Sequence, residues 1–140
     1  MSGNRRKQSK KPSPTAVPGL VNIGPDHLDS KVKWEKIKDQ TYWGHESVEN
    51  EGFVHCSPLK YLWRVLPNFE DEEDELVIIC IDEDKLEPEV KYEDGDNCGR
   101  SYPHVYGTIN NDAVIMVLDY LKDKHGHYMK NPELANIIDE

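Results

Sequence analysis

The sequence predicts a small, single α+β domain with a mixed or antiparallel sheet and flanking helices. Three observations lead there. Helix signals come early along the chain and strand signals late, which is not the alternation of a doubly wound parallel sheet. The 140 residues are 36% hydrophobic, enough for one modest core. No glycine-rich phosphate loop, Gly-x-Ser-x-Gly elbow or His-Glu-x-x-His is present, so nucleotide binding of the Rossmann or P-loop kind is not expected.

Residues 1 to about 20, MSGNRRKQSKKPSPTAVPGL, hold three prolines, five basic residues and no acid, with no apolar period. They read as a disordered basic arm. Its composition would suit a nuclear-localisation-like patch or a nucleic-acid tether, and its plainest reading is a solvated tail. Removing its five basic residues leaves twelve Lys and Arg against 27 acids, a formal charge of −15. The folded part is therefore expected to bind no nucleic acid by itself. The run EDEEDE, Glu70 to Glu75, lacks the alternating ligands and central glycine of a calcium loop and reads as solvated. No apolar stretch approaches the roughly 20 residues of a membrane span, and no signal-peptide pattern is present. Cys56, Cys80 and Cys98 are odd in number and differ in context. The chain thus reads as cytoplasmic, with the nucleus open to it through the arm.

The ordered domain is expected over residues 21–121, with 122–140 as a C-terminal extension. A short strand is expected around His27 and Leu28, after which Ser30 caps a helix carrying Trp34 and Ile37 on one face. TYWGHESVEN reads as a loop hinged at Gly44. In GFVHCS, alternation places Phe53, His55 and Ser57 on one face and Val54 and Cys56 on the other. Ser57-Pro58 reads as a helix start, followed by Leu59, Leu62, Trp63 and Leu66 as one buried stripe that Pro67 bends or ends. ELVIICID reads as a strand buried on both faces, with Cys80 a core residue. VKYEDG is a strand and DGDNCGRSYP a polar loop. YPHVYGTI resumes a strand, with Tyr102, His104 and Tyr106 on one face and Val105 on the other. DAVIMVLDYL is a further strand, KDKHGHY a hairpin or terminal loop, and NPELANIIDE a short helix or frayed tail.

His55 and Cys56 are strand neighbours that point to opposite faces, so they form neither a thiolate–imidazole pair nor a shared metal site. His55 instead shares its face with Phe53 and Ser57, and a second strand presents His104 between two tyrosines. Two such half-polar faces point to a cleft lined by imidazole, hydroxyl and aromatic groups. Either histidine taken alone reads as a hydrogen-bonded rim of the core. His55, His104, Cys98, His125 and His127 show no paired ligand spacing, so no metal site is expected.

Together DHL, Trp34, YWGHESVENEGFVHCSP, LVIICIDEDKLEPEVKYE and YPHVYGTINNDAVIMV closely resemble the family catalogued as domain of unknown function 952. The likeness covers roughly residues 26 to 118. It implies an ADP-ribosyltransferase-type fold, a split sheet that holds NAD between two strand groups without a Rossmann loop. His27 matches the family's first-strand histidine, His55 the second-strand position, and His104 and Tyr106 the last signature. Histidines at the first two positions are similar to those of the RNA 2′-phosphotransferases of that superfold. YPHVYGT itself holds no acid for ADP-ribosyl transfer, and outside the arm only Arg64 and Arg100 are available to phosphates. The resemblance therefore implies a protein binding NAD or a nucleotide derivative. His27 and His55 would hold ribose hydroxyls or phosphate, Ser57 would be a further ligand contact, and Tyr102, His104 and Tyr106 would line the nicotinamide or base pocket. The catalytic residues are left unassigned. The alternative is a noncatalytic module that keeps the fold for a small ligand or a protein partner.

Overall fold

A computed structural model describes residues 19–22, 30–95 and 97–140. Its centre is a six-stranded sheet in the order β5-β6-β3-β1-β4-β8. These strands are β1 (Leu20–Asn22), β3 (Val54–Pro58), β4 (Val77–Ile81), β5 (Val90–Glu93), β6 (Tyr102–Val105) and β8 (Val114–Asp119). All pairings within this sheet are antiparallel. Two small sheets flank it, β2 (Tyr42–Trp43) with β7 (Ile109–Asn110) and β9 (Leu121–Lys122) with β10 (Tyr128–Met129). The helices are α1 (Lys31–Ile37), α2 (His45–Glu51) and the single turn α3 (Leu62–Val65). The α+β expectation is met, and the sheet is antiparallel.

Both faces of the sheet are covered at β4, which explains why all five of its residues are buried. On one face, Trp34 of α1, Trp43 and Ile109 pack against Val54, Cys56, Ile79 and Val105. Ser30 caps α1 as expected, its side-chain oxygen accepting from the Lys33 amide at 3.1 Å. On the other face, Leu59, Leu62, Leu66 and Leu134 cover Val21, Ile78, Cys80 and Leu118. This second cover stops over β1, β4 and β8. The same face of β3, β6 and β5 is left open, and the candidate site lies there.

The buried thiols of Cys56 and Cys80 belong to these two layers. Desolvation pushes both pKa values up, that of Cys80 to about 12, so both act as inert core residues at neutral pH.

Several expectations are corrected. TYWGHESVEN is a short strand followed by a helix, not a loop. The helix buries none of its residues, so it leaves no apolar period to read. Its start is the left-handed Gly44, with φ 93°, and not a side-chain cap. Ser57 and Pro58 remain in β3, and a 3₁₀ turn, Leu59–Tyr61, follows Pro58. Trp63 does not join the buried stripe of Leu59, Leu62 and Leu66. It is 44% exposed, because α3 is too short to hold one face through two turns. Leu20, placed at the end of the arm, is the first residue of β1 and fully buried. In the segment after Leu121 the hairpin, of the two forms expected, is the one seen, and it leads to a 3₁₀ turn that ends at the buried Leu134. The strand expected around His27 lies outside the described residues, as does most of the arm.

Candidate functional site

The site is built on a β3–β6 rung in which His55 sits directly opposite His104. Their rings are 5.0 Å apart and nearly perpendicular. Phe53 closes the cluster, stacked on His104 at 4.1 Å and edge-on to His55 at 4.7 Å. Such contacts fix ring planes as well as bury area.

Each imidazole is oriented by its own carboxylate. Glu51 is the last residue of α2, and the next residue, Gly52, is left-handed with φ 89° while its amide donates to the Val48 carbonyl. That helix stop turns the chain back into β3 and brings Glu51 Oε1 to 2.8 Å from His55 Nε2. The spacing Glu-Gly-x-x-His thus encodes a local acid–imidazole pair. The second pair is made by strand register. Glu93 of β5 lies opposite Tyr102 and diagonal to His104, so its Oε1 meets His104 Nδ1 at 2.7 Å. The same oxygen accepts from the Tyr106 hydroxyl at 2.6 Å.

When His55 Nε2–H donates to Glu51 and His104 Nδ1–H donates to Glu93, the lone pairs left free are at His55 Nδ1 and His104 Nε2. Neither of those nitrogens has a partner among the described residues. Two neighbouring imidazoles fixed in opposite tautomers can accept, donate or relay protons to a ligand between them.

The cleft over these rings has a volume of about 500 Å³. Arg64 and Asn68 line it from the α3 side, and Asp94, Cys98 and Arg100 from the loop after β5. Asp94 shapes that loop by accepting from the amides of Cys98 at 2.8 Å and Gly99 at 2.7 Å. These bonds hold its carboxyl below the usual carboxylate range. The Tyr102 phenol beside Arg100 holds the guanidinium firmly charged.

Of the residues expected from sequence, His55, Tyr102 and His104 line the cleft. Tyr106 stands at its edge, joined through Glu93 and with its ring 5.3 Å from Phe53. Ser57 is corrected. It is fully buried and its hydroxyl donates to the Pro58 carbonyl at 2.9 Å, so it offers the cleft nothing. His27 lies outside the described residues. Glu51, Glu93, Arg64 and Arg100 complete the site. Among the described residues, no three His, Cys, Asp or Glu side chains converge to hold a metal ion, and no helix is long and apolar enough to cross a membrane.

Tyr106 first, and His104 after it, hold the Glu93 carboxyl below its usual range. A depressed carboxylate contributes order that is present above its unfolded pKa and lost as pH falls through the folded value. Glu93 should therefore titrate below the ordinary value of about 4.3, and the Tyr106 and His104 signals should shift with it. A carboxyl-detected NMR titration checks this. An ordinary Glu93 pKa, or Tyr106 and His104 signals that ignore it, would contradict the shared hydrogen bonds.

A family model described as "Protein of unknown function (DUF952)" matches residues 30–117. No curated protein matches the chain. Among solved structures, protein CC0527 from Caulobacter crescentus is 21% identical, with a TM-score of 0.60 over 83% of this chain and 98% of that one. A double mutant of the same protein gives 20% identity and a TM-score of 0.59 over the same shares. At that identity the likeness concerns the fold alone.

Proposed function

We propose, for a chain that belongs to the family of proteins of unknown function DUF952, that the His55–His104 cleft binds a nucleotide derivative of the NAD kind on an ADP-ribosyltransferase-type fold. The observation that carries this reading is the facing pair of imidazoles at an open cleft, each oriented by a separate carboxylate and each with a second nitrogen that has no partner among the described residues. A histidine that only finishes a core needs one satisfied hydrogen bond and no such opening.

In this reading His55 Nδ1 and His104 Nε2 meet ribose hydroxyls or phosphate, while Phe53 and Tyr102 supply the apolar wall. Departure of nicotinamide takes the electron pair of the glycosidic bond and leaves positive charge on the ribose, which a nearby fixed carboxylate stabilises. YPHVYGT has no acid for this task. Glu93 supplies one from the neighbouring strand, and its Oε2 has no partner among the described residues.

A two-dimensional amide NMR titration of the full chain with NAD tests the reading. Saturable shifts at Glu51 to His55, at Glu93 and from Tyr102 to Tyr106 are expected. No shifts at millimolar NAD, or shifts confined to another face, would overturn it. Binding without release of nicotinamide would assign the fold to a noncatalytic ligand-binding module.

A further inference from the structure

Resting on the reading of the cleft as a ligand site, we infer that Arg64 and Arg100, together with His55 and His104, form a phosphoryl-group subsite within it. The chain has four arginines, two of them at positions 5 and 6. The other two stand on separate elements, α3 and the loop after β5, yet both line the one cleft that holds the oriented imidazoles. This concentration of guanidinium occurs in a domain where acids far outnumber bases.

The cleft's own carboxylates are engaged by groups other than the arginines. Glu51 is engaged by His55, Glu93 by His104 and Tyr106, and Asp94 by two backbone amides. Among the described residues, neither guanidinium has an Asp or Glu side chain within ion-pair reach. Arg64 is held in place by the last residue of the sequence. Its Nε and Nη2 donate to the main-chain oxygen of Glu140, and its guanidinium lies 4.3 Å from the Trp63 ring. The Nε of Arg100 is buried and has no hydrogen-bond partner among the described residues.

Positioned guanidinium groups with donors left over are matched by an oxyanion with several acceptor oxygens. Phosphate fits better than a single carboxylate here, because two guanidinia and two imidazoles surround the same space and a phosphoryl group offers more acceptors. A nucleotide phosphate and inorganic phosphate present the same oxygens to these donors.

The test is an NMR titration of the full chain with inorganic pyrophosphate, following amide and imidazole signals. Saturable shifts at His55, His104 and Arg100 are expected. Arg100→Gln should weaken them about tenfold or more, a loss near 1.4 kcal/mol. Lys124→Gln, which removes a charge from the exposed β9–β10 hairpin, should leave the affinity within about twofold. Equal losses in the two variants would reduce the effect to bulk charge and overturn the subsite, as would shifts that never saturate or that map away from the cleft. The wild-type map decides by itself if Arg100→Gln does not fold. Competition by AMP at lower concentration than pyrophosphate would make the source a nucleotide, and the reverse order a free phosphate. NAD binding without a pyrophosphate response would overturn the subsite and leave the ligand reading standing. Silence to both would overturn both.

Discussion

Replacing Leu134 by alanine should destabilise the protein by about 2–5 kcal/mol, the range for deleting a buried leucine side chain. Leu134 is 2% exposed and packs with Leu62, Leu66, Ile78 and Leu118 under the outer layer of the sheet. Its 3₁₀ turn, Pro132–Leu134, follows directly from the β9–β10 hairpin. That hairpin is tied to the acidic loop by Glu70, which accepts from the Tyr128 amide at 2.7 Å and meets His127 at 3.1 Å. Residues beyond 121 therefore complete the second core instead of trailing from it. Denaturant unfolding of Leu134→Ala measures the effect. A change below about 0.5 kcal/mol would show that the C-terminal segment contributes little to the domain.

The two histidines should separate in the same assay. His104→Ala is expected to cost about 1–3 kcal/mol, because the ring is buried, stacked on Phe53 and bonded to Glu93. His55→Ala should cost no more than about 1 kcal/mol, because its side chain is 30% exposed and bonded only to a surface carboxylate at a helix end. Equal costs would mean that the two faces of the rung are equally built into the core. The asymmetry matters for function. In the proposed reading both histidines meet the ligand, and His55 is the one whose loss the fold tolerates better.

The alternation of GFVHCS and YPHVYGTI was enough to place His55, Tyr102 and His104 on one side of two strands, and the sheet register then sets the histidines face to face. ELVIICID was equally legible, since burial on both faces removes all polar alternation from β4. The carboxylates were not legible from the same patterns. Glu93 reaches His104 only through the β5–β6 register, a pairing that no local period encodes. Glu51 lay closer to view, because an acid, a left-handed glycine and a histidine four residues after the acid form one turn. The absence of an apolar period made that turn read as loop. Ser57-Pro58 carried a genuine capping pattern, yet the pairings of Cys56, Ser57 and Pro58 with β1 keep the chain extended through Pro58. Tertiary pairing prevailed over local preference there. The arginines were visible as residues, but only the fold shows that Arg64 and Arg100 meet at one cleft.

The central claim is that the oriented histidine pair serves a ligand and not the core. The most direct measurement is paired: unfolding free energy and NAD affinity on His55→Ala beside the wild-type chain. The account predicts stability within about 1 kcal/mol of wild type and an affinity reduced about tenfold or more. Unchanged NAD affinity in a folded His55→Ala protein, or a large loss of stability with affinity retained, would make His55 a structural residue and contradict the account.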